Sequence, residues 1–93
     1  MSIEDVIKET SKAKAKFPKW PTDPIHATAI IAEELGELQK SVIESVYEPY
    51  KGSRSNIRTE ALQTAAMCLR FLESLDAGKY EFYLSKQHDQ EST

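Results

Sequence analysis

Between Ile57 and Leu75 the chain carries Ala61, Leu62, Ala65, Ala66, Met67, Cys68, Leu69, Phe71 and Leu72, with no strand-like alternation and neither proline nor glycine. At about 100 degrees per residue these side chains cover nearly every side of a helix, and a helix that is apolar all round is buried all round. A chain of 93 residues is long enough for a core but marginal for a self-sufficient one. Such a helix then needs cover from a second copy. The expectation is an all-α domain that completes a four-helix bundle core by oligomerisation, as a homodimer or homotetramer.

The other boundaries follow from helix start and stop chemistry. Ser2 stands before Glu4 and Asp5, and Ile3, Val6 and Ile7 form a thin apolar edge, so residues 1–16 read as a peripheral helix. Phe17-Pro18-Lys19-Trp20-Pro21 reads as an extended connector, because each proline lacks an N–H and drives the residue before it out of the helical region. Asp23 with Pro24 behind it is a strong start for a second helix, which runs to Val46 or Tyr47 and ends at Glu48-Pro49. After a polar loop, Ser55 or Asn56 caps the third helix, about Ile57 to Leu75, and Asp76-Ala77-Gly78 stops it. A short fourth helix is expected from Lys79 to Lys86, offering Tyr80, Phe82, Tyr83 and Leu84 to the core, with Gln87 to Thr93 as a polar, frayed tail. The architecture is one domain over residues 1–93, a hairpin of two long helices with two short flanking helices.

Composition narrows the function classes. Fifteen acidic against twelve basic residues give a net charge of -3, with no basic surplus to track a nucleic-acid polymer. A single nucleotide held through metal ions stays open. The lone Cys68 excludes an intramolecular disulfide, lies in an apolar run and reads as a small buried side chain in a reducing compartment. No apolar run reaches the length of a membrane span, and Met1 to Asp5 lacks the basic and apolar regions of a signal peptide, so the expected location is cytoplasmic. There is no Gly-rich phosphate cradle with its lysine and no Cys/His cluster for zinc.

What remains is acidic. Glu33, Glu34 and Glu37 place three carboxylates on one side of the second helix, opposite Leu35, Leu38 and Val42. A solvated stripe tolerates the repulsion, whereas a buried one is relieved by protonation or by a hard cation such as Mg²⁺ or Mn²⁺. Glu60 sits in the first turns of the apolar third helix and shares a narrow polar strip with Gln63, Met67, Arg70 and Ser74. Two readings fit that strip. In one, Glu60 or Arg70 forms a structural ion pair, Arg70 with a glutamate of the second helix; in the other, Glu60 and Gln63 oppose Glu34 and Glu37 across the hairpin and surround a metal with four oxygen donors.

Glu33-Glu34-Leu35-Gly36-Glu37-Leu38, followed by Glu60-Ala61-Leu62-Gln63, resembles the paired E-E-x-x-E and E-x-x-D motifs of the MazG-like all-α nucleoside triphosphate pyrophosphohydrolases. The Trp20-Pro21 connector leading to His26-Ala27 is also similar to small members, including phage-type ones. The likeness spans roughly Phe17 to Leu75, and the closing aspartate of the second motif is replaced by Gln63. It implies hydrolysis of a nucleoside triphosphate between the α and β phosphates, with Mg²⁺ or Mn²⁺ as cofactor. Glu34, Glu37 and Glu60 would be metal ligands, Glu33 a further ligand or the base for water, and Gln63 a neutral oxygen in the fourth ligand position. Arg70, Lys51 and Arg54 are candidates for phosphate contacts and Trp20 for stacking on a base, each with a structural role as its alternative. Gln63 motivates a second expectation, a catalytically weakened oligomer that binds nucleotide or metal without turnover.

Overall fold

The computed structural model describes residues 1–48, 50 and 53–82, and among these the only regular elements are three helices. They are α1 (Ile3–Lys16), α2 (Pro24–Tyr47) and α3 (Arg54–Asp76). Each begins where side-chain chemistry supplies an acceptor or removes a donor. At α1 the Asp5 carboxylate accepts the backbone N–H of Ser2 at 3.2 Å, and Glu4 and Asp5 meet the positive end of the helix dipole. At α2 Asp23 accepts from Ile25 N–H at 2.9 Å and Pro24 occupies the first turn. At α3 the cap is Ser53, whose Oγ accepts from Asn56 N–H at 3.0 Å. The helix therefore starts three residues before the expected Ile57, because Ser53, rather than Ser55 or Asn56, supplies the capping oxygen.

Helix α3 is the central element. Both α2 and α1 pack against it, and α1 and α2 do not pack against each other. Helices α2 and α3 pack along each other across a short connection, the arrangement of an antiparallel hairpin, and Ile30 and Glu34 of α2 border one cleft with Gln63, Met67 and Arg70 of α3. Two ion pairs tie α1 to α3, Lys14 with Glu73 and Arg58 with Asp5 at 2.9 Å. Between them Val6 and Thr10 are buried, the Thr10 hydroxyl donating to Val6 O at 2.7 Å.

The fourth helix does not form over residues 79–82, and 83–86 lie outside the described residues, as does the expected tail 87–93. Gly78, at φ 67°, closes α3 with the paired bonds Gly78 N–H to Leu75 O and Lys79 N–H to Ser74 O, a left-handed stop that glycine adopts without strain. The chain turns back, and Glu81 N–H donates to Thr22 O in the connector at 3.1 Å. Tyr80 is buried as expected, but from an extended segment: its ring packs on Phe71 at 4.9 Å and its hydroxyl accepts from the Trp20 indole N–H at 2.7 Å. Phe82 meets the Tyr80 ring edge-on at 6.1 Å and stays partly exposed.

Burial in the single chain departs from the expected buried Cys68 and leaves α3 partly open. Cys68 is exposed, and α3 is not covered all round: Leu72 and Leu75 remain 52% and 42% exposed on the same side as Cys68. With only α1 and α2 to cover it, α3 buries Ala66, Met67 and Arg70 and leaves a third face open. Helix α2 likewise exposes Leu35, Val42, Ile43 and Val46. No helix among the described residues is long and apolar enough to cross a membrane.

Candidate functional site

A cleft of about 720 Å³ runs between the helices. Its floor is the polar strip of α3, from which Gln63, Met67 and Arg70 project at spacings of four and three residues. Glu33, Glu34 and Ile30 of α2 form one wall. The other wall is made by Glu9, Lys12, Ala13 and Lys16 of α1 with Phe17, Lys19 and Trp20 of the connector, three lysines against one carboxylate. Acidic and basic walls thus face each other across a floor that carries one amide, one thioether and one guanidinium.

The carboxylates are not equivalent. Glu34 is half-buried and its proton affinity is raised above the ordinary carboxylate value, first by loss of solvent and then by Glu60, Glu33 and Glu37 in that order. Glu60 on α3 is therefore a stronger electrostatic neighbour of Glu34 than either glutamate on its own helix. Glu60 is itself half-buried, whereas Glu33 and Glu37 are exposed, and Glu37 and Glu60 stand outside the cleft lining. Among the described residues no three His, Cys, Asp or Glu side chains are gathered closely enough to hold a metal ion. The two motifs bring Glu34 and Glu60 into mutual influence and Gln63 to the cleft floor without drawing the expected ligands into one shell. The donor set itself is hard oxygen carrying excess negative charge, which matches Mg²⁺ or Mn²⁺ rather than softer ions.

Arg70 is committed elsewhere than to a glutamate of α2. Its Nη2 donates to Phe17 O at 2.9 Å and its guanidinium lies 4.7 Å from the Trp20 ring centre. Burial pushes its pKa down from the ordinary value, and Glu73 opposes that shift. Trp20 carries Arg70 over its ring and gives its indole N–H to Tyr80, so the tryptophan clamps the connector while still bordering the cleft. A second cavity of about 500 Å³, with Lys14, Glu73 and Ser74 in its wall, shares Trp20 and Arg70 with the cleft. The pair is a partition between the two spaces.

Arg54 is exposed at the first position of α3 and does not reach the cleft, being separated from Gln63 by more than two helical turns. Lys51 lies outside the described residues. What the sequence did not single out is the basic wall. Lys12, Lys16 and Lys19 belong to a helix with a thin apolar face and to a proline-broken connector, and their shared direction appears only once α1 is docked on α3. Comparison with protein-family models, curated proteins and solved structures finds no match to this chain.

Proposed function

We propose that the chain is a metal-dependent nucleoside triphosphate pyrophosphohydrolase, in which water adds across the α–β phosphoanhydride to give a monophosphate and pyrophosphate. The observation that carries this reading is the half-buried Glu34 with its raised proton affinity, set against Glu60 of the neighbouring helix beside a cleft of nucleotide size. Two carboxylates in such a position repel unless a cation or a proton joins them. Glu34, Glu37 and Glu60 would hold Mg²⁺ or Mn²⁺, with Glu33 beside them and Gln63 offering a neutral carbonyl oxygen. The bound cation supplies charge neutralisation at the phosphates and a lowered pKa for water. The chain's own part is to keep Glu34 poorly solvated, to hold Gln63 on the cleft floor, and to border the nucleotide with Phe17 and Trp20.

Self-association belongs to the same proposal. Cys68, Leu72 and Leu75 on α3, with Leu35, Val42 and Val46 on α2, leave apolar strips uncovered, and contiguous apolar surface of this kind marks an interface. Two α2/α3 hairpins sharing those strips make a four-helix bundle. A sedimentation measurement that returns only monomer at micromolar concentration defeats this part.

The test of the activity is pyrophosphate release from a panel of ribo-, deoxy- and modified triphosphates with Mg²⁺ or Mn²⁺. Turnover in the parent and its loss in Glu34→Gln and Glu60→Gln is the expected result. No pyrophosphate from any member of the panel, with no rise of melting temperature on adding Mn²⁺, removes the reading. Gln63→Asp separates a working site from a weakened one: a large gain in turnover favours a decayed enzyme that still binds, and loss or indifference favours a site adapted to glutamine.

A further inference from the structure

Charge in this chain is sorted in space. From Lys8 to Trp20 there are five lysines and one glutamate, although the whole chain has a net charge of -3. Three of those lysines, Lys12, Lys16 and Lys19, line the cleft opposite Glu33 and Glu34. Opposite charges that face one another normally close into ion pairs, yet none of these three lysines pairs with either glutamate. Lys12 has the intrahelical partner Glu9, a half-buried side chain that also borders the cleft, at a loose 3.7 Å, and the lysine side chain itself remains largely exposed. Lys16 has its ammonium 5.5 Å from the Phe17 ring centre. The walls are held apart because α1 and α2 have no packing contact and meet only through α3 and the connector.

We infer that Lys12, Lys16 and Lys19 form a polyphosphate-binding wall, which holds the phosphate chain of a nucleoside triphosphate opposite the carboxylates of α2. The inference rests on the nucleotide reading of the cleft and names the residues that hold the anionic end. A phosphate chain carrying a divalent cation is complementary to both walls at once, its oxygens to the ammonium groups and its cation to the carboxylates. The spacing suits a chain rather than a single phosphate. Lys12 and Lys16 are one helical turn apart, about 6 Å along α1, and Lys19 continues the row beyond the helix end. Arg70 is not counted in the wall: it lies on the cleft floor, with one guanidinium nitrogen donating to Phe17 O and its face over Trp20.

The probe is inorganic tripolyphosphate without divalent cation, measured by calorimetry against the full chain, beside a nucleoside triphosphate and the matching nucleoside. Lys12→Gln/Lys16→Gln/Lys19→Gln is expected to weaken tripolyphosphate binding by about tenfold or more and to flatten its salt dependence. All three side chains sit on exposed or lightly packed positions, and an unchanged circular-dichroism melt establishes that the variant is folded. Lys8→Gln, on α1 outside the cleft lining, is expected to bind as the parent does. Parent-like affinity in the triple variant, equal weakening by Lys8→Gln, or no binding to the parent overturns the wall. Tighter binding of the triphosphate than of tripolyphosphate supports a nucleotide as the source of the chain, and equal affinity overturns that source. Pyrophosphate release is read separately, so lysine-dependent binding without turnover retains the wall and removes the hydrolase.

Discussion

Arg70 reaches back from the last third of α3 to donate to the carbonyl of Phe17 at 2.9 Å, and in the same pose it covers the ring of Trp20 at 4.7 Å. One side chain thus fixes the connector twice, by its edge and by its face. Arg70→Lys keeps the charge but loses the planar fork and the stacking. The expected cost is about 1–3 kcal/mol, as for a buried hydrogen bond from a charged donor. Trp20 is the sole tryptophan, so a red shift of its emission in the variant at temperatures below unfolding reports the released connector directly.

Glu34 makes a prediction of opposite sign. Its folded-state pKa is raised, so its stabilising contribution is present below the unfolded carboxylate pKa and lost as pH rises through the folded one. At neutral pH the charged side chain is a burden. Glu34→Gln is expected to raise the metal-free melting temperature by a few degrees at pH 7, and the advantage is expected to vanish in acid, where the parent is protonated too. Melts taken across that pH range check both halves.

The N-terminus of α1 behaves in the reverse sense. The backbone N–H of Ser2, and then Arg58, hold the Asp5 carboxyl below its ordinary value of 3.8. That contribution is present above the unfolded pKa and lost as pH falls through the folded one. Asp5→Asn is expected to loosen α1 at neutral pH and to match the parent in strong acid. Hydrogen exchange along α1 is the measurement, since the exposed pair with Arg58 is too weak to dominate a global melt.

Gly36 occupies the interior of α2, and a methyl group added there meets nothing within 4 Å. Gly36→Ala is expected to stabilise the chain by about 0.5–1 kcal/mol through lower backbone entropy in the unfolded state. A fall in melting temperature instead would mean that the open space at Gly36 is filled in the working assembly.

The helical class, the connector and the starts of α1 and α2 were legible because each rests on local chemistry: a proline ring, an acidic cap, a 3.6-residue period. The start of α3 was misplaced since several polar residues in a row can all serve as caps, and only the backbone path selects Ser53. Lys79 to Phe82 opened an aromatic-rich run that read as a short helix, but Tyr80 and Phe82 alternate at a spacing of two, and Thr22 and Trp20, nearly sixty residues away, bind that segment outside any helix. For the site, periodicity alone gave the shared side of Glu33, Glu34 and Glu37. The placement of Gln63 in the cleft and of Arg54 outside it depends on how α2 and α3 register, which no local pattern encodes. The lysine wall was invisible for the same reason, being made by the docking of one helix on a third.

That docking has a mechanical side. Because α1 and α2 each grip α3 but not one another, α3 acts as the spine of an open book whose two covers carry opposite charge. The angle between the covers is set by how each docks on α3, for α1 with the Lys14–Glu73 and Arg58–Asp5 pairs at its two ends; the residues from Phe17 to Asp23, braced by Arg70 and Tyr80, link the covers directly. The separation of the walls is therefore set by two independent docking surfaces on α3, and a substitution that shifts α1 on the spine changes the gap without disturbing the residues that α2 and α3 bury between them.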